Sequence, residues 1–167
     1  MLEFCRPQGC KLVARRGSAC LRTFSVRPAL PGDEAGIQEI FAANISAAKW
    51  LPVAARGRTN FSDVSADETI LVAVDDVDTI AGFVSVQPEA AFIHHLHVRA
   101  GARGTGAGRC LLTALASCLD RPWHLKCVAN NVDALAFYRR VGWNQISTGE
   151  SDDGAYVLLE WFPNHNG

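Results

Sequence analysis

Apolar positions recur at two spacings along the chain, every second residue in short runs and every third or fourth in longer ones. Phe24-Ser25-Val26-Arg27-Pro28 alternates as a first strand, and Pro31-Gly32-Asp33 reads as a turn capping a helix over 33–45. Ile37, Ile40, Phe41 and Ile45 give that helix its apolar stripe. Pro52 and the run Arg56-Gly57-Arg58-Thr59-Asn60 leave 46–68 as a short helix and an ordered crossover. Residues 69–74 and 79–87 read as strands joined by Asp75-Asp76-Val77-Asp78, with Gly82 marking a bulge or a close backbone approach. Residues 92–98 form the next strand, whose alternation places Ile93, His95 and His97 on one face and His94, Leu96 and Val98 on the other. A helix from about 106 to 119, striped by Leu111, Leu112, Leu115, Ala116 and Leu119, leads to a parallel strand at 123–128. Asp133 caps or opens a helix through Arg140, stopped by Gly142, and strands at 143–148 and 155–162 flank the turn Glu150–Gly154. Hairpins, then a strand–helix–strand unit, then a hairpin make an α+β, three-layer domain rather than a doubly wound sheet.

Composition narrows the function. The 167 residues suffice for one core, and 49% apolar with 20% charged residues describes a folded chain. No apolar run approaches the ~20 residues of a membrane span, and a net charge of -1 removes the electrostatic case for nucleic acid. Charge is unevenly spread. Residues 1–27 carry six of the 16 bases against one acid, Glu3, leaving 10 bases and 16 of the 17 acids for residues 28–167. Residues 1–21 therefore read as a basic, disordered leader, with an Arg-rich organelle transit peptide as the alternative, ahead of a single domain over 22–167. The six cysteines include no C-x-x-C pair, which points to reduced thiols and a cytoplasmic setting.

The strongest local signal is Arg103-Gly104-Thr105-Gly106-Ala107-Gly108-Arg109, lying between a strand and a helix. Alternate glycines let a ligand approach the backbone, and the helix start offers unpaired N–H groups and a positive dipole end. Together with Arg103 and Arg109 this is a cradle for a phosphate or pyrophosphate. A nucleoside-triphosphate loop would need Gly-Lys-Ser/Thr where Gly108-Arg109-Cys110 stands. A dinucleotide site would want an acid near Val128-Ala129-Asn130-Asn131, and none is there.

The pattern Leu96-x-Val98 followed by Arg103-x-x-Gly106-x-Gly108, with the later block Asn131-x-x-Ala134-x-x-Phe137-Tyr138-x-x-x-Gly142-Trp143, resembles the GNAT acyltransferase superfamily over about residues 22–162. The resemblance implies a GNAT-like α/β/α domain whose central mixed, mostly antiparallel sheet is splayed between two parallel strands, 92–98 and 123–128. It further implies acetyl-CoA as co-substrate. The pantetheine arm would pair with the backbone of Leu96, His97 and Val98, the pyrophosphate would rest on the amides of Gly104, Thr105, Gly106, Ala107, Gly108 and Arg109, Asn131 would bond the arm, and Phe137 would pack beside it. Ala100 and Trp143 depart from the family pattern, where proline and phenylalanine are common, without touching the chemistry.

Acetyl transfer to an amine needs a proton removed from the ammonium and one supplied to the departing thiolate. Family position makes Tyr138 the general acid, and a strand amide of Leu96 to Val98 the oxyanion donor. His95 is the first candidate for the base, followed by His94 and Glu89, with water as the bland alternative. His94, His95 and His97 lack a third ligand, so no metal is expected. The acceptor is a small-molecule primary amine or, second to that, a protein amine. Its pocket would be formed by the first helices and the loops 46–68, 87–92 and 148–155, with Trp50, Phe61 and Phe92 as candidate walls. The acids of 63–78 read as a solvated turn before a cation-attracting rim. The alternative function is a catalytically idle acyl-CoA-binding regulatory module. A homodimer is left open.

Overall fold

The computed structural model describes residues 12–13, 23–116 and 122–162. Eight described strands form one sheet: β1 (Leu12–Val13), β2 (Thr23–Pro28), β3 (Thr69–Val74), β4 (Ile80–Gln87), β5 (Phe92–Val98), β6 (Trp123–Val128), β7 (Asn144–Ser151) and β8 (Gly154–Trp161). Their spatial order is β1-β2-β3-β4-β5-β6-β8-β7, and only β5 and β6 run parallel. Every other pair is antiparallel, which is the mixed sheet the sequence implies. Of the expected leader only Leu12 and Val13 are described, paired with Phe24 and Thr23.

Helices α1 (Glu34–Ala47) and α2 (Val53–Arg56) cover one face, and α3 (Ala107–Ala116) and α4 (Val132–Arg140) the other. The period-2 pattern of the strands divides the core accordingly. Val72, Val74 and Phe83 point to Ile37, Ile40 and Phe41 of α1, while Leu71, Ala73, Val84 and Val86 join Leu111 and Leu115 of α3. Trp123, Phe24, Phe83 and Leu111 are fully buried. The described part of α3 ends at Ala116, so Leu119 of the expected stripe lies outside the described residues.

Two helix starts differ from expectation. Asp33 precedes α1, but its carboxylate accepts the Leu30 amide at 2.7 Å and the Arg27 guanidinium at 2.6 Å instead of a helix amide. The Arg27 hydrogen bond holds the Asp33 carboxyl below its ordinary pKa. At α4 the cap is Asn131 rather than Asp133, because its Oδ1 accepts the Ala134 amide at 3.3 Å.

Gly82 is required by close approach. A Cβ there would lie 2.6 Å from the His97 carbonyl oxygen, and the adjacent register shift between Ala73 and Val74 makes Ala81 the extra residue of a bulge.

Candidate active site

β5 and β6 pair only at Phe92 with His124 and Ile93 with Leu125. Beyond those positions β5 continues to Val98 and β6 to Val128 without pairing, so the strands part into a wedge. The Arg99 amide donates to Ala81 of β4 at 2.8 Å, and by alternation His97 turns its backbone to β4 as well. Leu96 and Val98 therefore turn theirs to the wedge, an edge that needs hydrogen-bonding partners. The Asn44 amide of α1 fills one such place, donating to the Val98 carbonyl at 3.1 Å.

The glycine loop stands at the wide end of the wedge. Gly104 and Gly106 have φ of +74° and +102°, values an L side chain rarely adopts. Gly108 matters by contact instead, since a Cβ there would come within 3.3 Å of the Phe137 ring, tighter than an ordinary contact. Among the described residues no backbone carbonyl accepts from the amides of Gly104, Gly106, Ala107, Gly108 or Arg109. These bare donors at the start of α3 suit a pyrophosphate. Thr105 has a different part: its hydroxyl and amide both turn back to the Ala102 carbonyl, closing the turn. Arg103 is exposed and donates to Asn44 Oδ1 at 2.6 Å. Arg109 lines a separate cavity of about 410 Å³ with Arg140, Trp123, Trp143 and Trp161, between α3 and α4 at the end of β6 away from the wedge.

Tyr138 of α4 is buried between the Phe137 and Trp143 rings, at centroid distances of 5.3 and 5.7 Å. Burial, and then neighbouring Cys127 near the end of β6, push its phenol above the ordinary value, so it keeps its proton at neutral pH. The Cys127 thiol is itself pushed up to about 11 by burial and stays protonated, which makes it a poor nucleophile.

The histidine strand departs from simple alternation. Ser85 pairs with His95 and Val86 with Ile93, so His94 is an extra residue, a β-bulge. The bulge puts Ile93 on the α3 face with Leu96 and Val98, and turns His95 and His97 to the α1 face, against the expectation that Ile93 shares their side. His95 lies edge-on to Phe41 and Phe61 at 5.6 and 5.4 Å, and His97 stacks on Phe83 at 5.3 Å. Burial lowers the His95 pKa, opposed by the charge of Glu68 and by the Val64 backbone. His97 is driven down to about 3 by burial, then by His95 and Arg103, and is neutral; its Nδ1 accepts from Asn44 at 3.3 Å, which places its proton on Nε2.

The acidic run also divides. Asp75 closes the β3–β4 turn by accepting the Val77 and Thr79 amides, as a solvated turn does, but the Glu68 side chain is only 8% exposed and accepts a hydrogen bond from buried Ser85. Glu68, Ser85 and Asn44 adjoin the histidines of β5 and are not singled out by the sequence, where Glu68 reads as part of an acid-rich, solvated turn. Trp50 packs beside Ala48, Leu51 and Ala55, together with Val128 at the end of β6. Arg58 and Asp153 meet at 2.5 Å, joining the loop after α2 to the β7–β8 turn. Among the described residues no group of three or more metal-ligating side chains comes together, and no helix is long and apolar enough to cross a membrane.

Residues 66–145 match the family model described as an acetyltransferase (GNAT) domain. Solved structures share the fold. A GCN5-related N-acetyltransferase from Kribbella flavida is 20% identical with a TM-score of 0.61, covering 83% of this chain and 97% of its own. A phosphinothricin acetyltransferase from Sinorhizobium meliloti, solved with AcCoA, is 18% identical with a TM-score of 0.62, covering 83% and 88%. An N-acetyltransferase from Staphylococcus aureus Mu50 is 18% identical with a TM-score of 0.61, covering 84% and 99%. Comparison with curated proteins gives no significant match.

Proposed function

We propose that this chain, whose residues 66–145 match the GNAT acetyltransferase domain, moves the acetyl group of acetyl-CoA to a primary amine of a small molecule by direct transfer, with Tyr138 as the general acid and His95 as the base. The observation that carries this reading is the wedge: β5 and β6 separate after Ile93 and Leu125, with bare amides at one end and a buried, protonated phenol beside β6. The residues fit the co-substrate. Gly104, Gly106, Ala107, Gly108 and Arg109 have amides to offer a pyrophosphate, and the Leu96 and Val98 edge suits an extended amide-bearing arm. Asn131 uses its Oδ1 on α4, which leaves its side-chain NH2 for that arm, and Phe137 closes on Gly108 beside it.

The chemistry follows from charge. His95, neutral within its aromatic box, accepts a proton from the acceptor's ammonium, and the freed lone pair attacks the thioester carbonyl. A C–N bond forms, and a backbone amide of the Leu96–Val98 edge faces the oxyanion. The C–S bond then breaks, the thiolate takes the Tyr138 proton, and the second proton of the new amide nitrogen passes to the tyrosinate, which restores the phenol. A phenol whose pKa is raised by burial remains loaded for that step.

Thiol release measured over polyamines, amino acids and aminoglycosides tests the reading and names the acceptor. Tyr138→Phe is expected to lower kcat about a hundredfold or more while leaving the acetyl-CoA Kd within a few-fold. A chain that binds CoA and releases no thiol with any amine is the idle binding module instead, and equal loss of binding and turnover in Tyr138→Phe makes the phenol structural.

A further inference from the structure

We propose that Asn44 is the positioning residue for Arg103, holding its guanidinium at the end of β5 for the diphosphate of the co-substrate and so raising affinity for a donor that carries one. This rests on the reading of the wedge as the acetyl-CoA site.

Helical period makes Asn44 an exception. Ile37, Ile40, Phe41 and Ile45 give α1 its apolar stripe, and Asn44, three residues after Phe41 and four after Ile40, falls on the same face. It is half-buried there, and a polar side chain on a packed face is costly unless its donors and acceptors are met. Both ends of the amide find partners, on β5 and on the loop after it. Asn44 Nδ2 donates to the Val98 carbonyl at 3.1 Å and to His97 Nδ1 at 3.3 Å, and Oδ1 accepts from Arg103 Nη2 at 2.6 Å. These partners fix which way round the amide stands. Inverted, it would set its NH2 against a guanidinium, which has no acceptor, and its oxygen against a carbonyl, which has no donor.

The contact gives Arg103 an order that most surface arginines lack. The residue is exposed, and among the described residues it makes no ion pair. An untethered arginine gives up rotamer freedom on meeting an anion, at a cost of up to about 2 kcal/mol. The Asn44 bond imposes part of that order beforehand. It also engages only one edge of a planar fork whose remaining N–H groups suit phosphate oxygens. His97, bonded to the same amide, feels the Arg103 charge, as a guanidinium kept close to the end of β5 requires. Gly104 follows directly, at a φ of +74°, with an amide that no backbone carbonyl accepts among the described residues. The tethered cation therefore stands next in the chain to the amides that suit the same anion.

The test is a calorimetric titration of acetyl-CoA into the full chain, for the wild type, Asn44→Ala, Arg103→Ala and the double variant. Alanine suits a helix interior, so Asn44→Ala keeps α1; Asn44→Ser, too short to reach Arg103, serves if it does not fold. Each single substitution is expected to raise the acetyl-CoA Kd about tenfold. The double variant is expected to stay within about twofold of Arg103→Ala, because Asn44 acts through Arg103. A merely structural Asn44 would weaken binding whatever stands at position 103. Losses that multiply in the double variant therefore overturn the proposal, as does a Kd unmoved by either single substitution. A wild-type chain that takes up no acetyl-CoA removes the reading of the wedge itself, and this proposal with it.

Discussion

Burying a histidine commits its neutral form, and His97 shows the consequence for the whole chain. Its folded pKa, about 3, lies below the ordinary 6.5, so between those values the unfolded chain binds a proton that the folded one refuses. Stability is therefore expected to fall as pH drops from about 6.5 toward 3, and His97→Gln to flatten that slope in thermal melts; an unchanged slope means the histidine is not buried neutral. Tyr138 and Asn131 are candidates from sequence because each stands in a contiguous motif that a linear reading can match. Glu68, Ser85 and Asn44 are not. They come from β4, α1 and the residue before β3, and only sheet register and helix packing bring Ser85 opposite His95, Glu68 to Ser85 and His94, and Asn44 to His97 and Arg103. Asn44 is expected to contribute through three groups at once. Asn44→Ala removes donors from His97 and Val98 and the acceptor of Arg103, and should cost about 1–3 kcal/mol in denaturant unfolding.

At the scale of elements, the strands and helices follow from hydrophobic period, and their observed bounds fall within a few residues of those expected. The β5 bulge does not follow, because one inserted residue leaves a short alternating run looking regular while reversing the faces behind it. That is why Ile93 was grouped with His95. The turn before α3 was legible as a loop with three glycines, but the glycines serve two ends. Gly104 and Gly106 supply backbone conformation, whereas Gly108 clears space for Phe137. Gly108→Val is accordingly expected to displace Phe137 and weaken acetyl-CoA binding at least tenfold. If affinity is retained, the contact between α3 and α4 does not shape the site.

The described part of the molecule is an antiparallel sheet interrupted once, between β5 and β6, with α1 and α2 on one face and α3 and α4 on the other. The order of elements made this arrangement readable from sequence, but the contact between the loop after α2 and the β7–β8 turn did not announce itself: Arg58 and Asp153 are 95 residues apart and meet through the fold alone. Being exposed, the pair contributes little stability, and Arg58→Ala is expected to change unfolding free energy by less than about 1 kcal/mol. The wedge carries the functional reading, and its occupant can be tested directly by thermal denaturation of the full chain with acetyl-CoA, ATP and NAD in parallel. Acetyl-CoA at about a hundred times its Kd is expected to add ~2.7 kcal/mol and raise Tm by several degrees, with ATP and NAD giving no comparable shift. Stabilisation by ATP or NAD with none from acetyl-CoA would contradict the reading of the wedge.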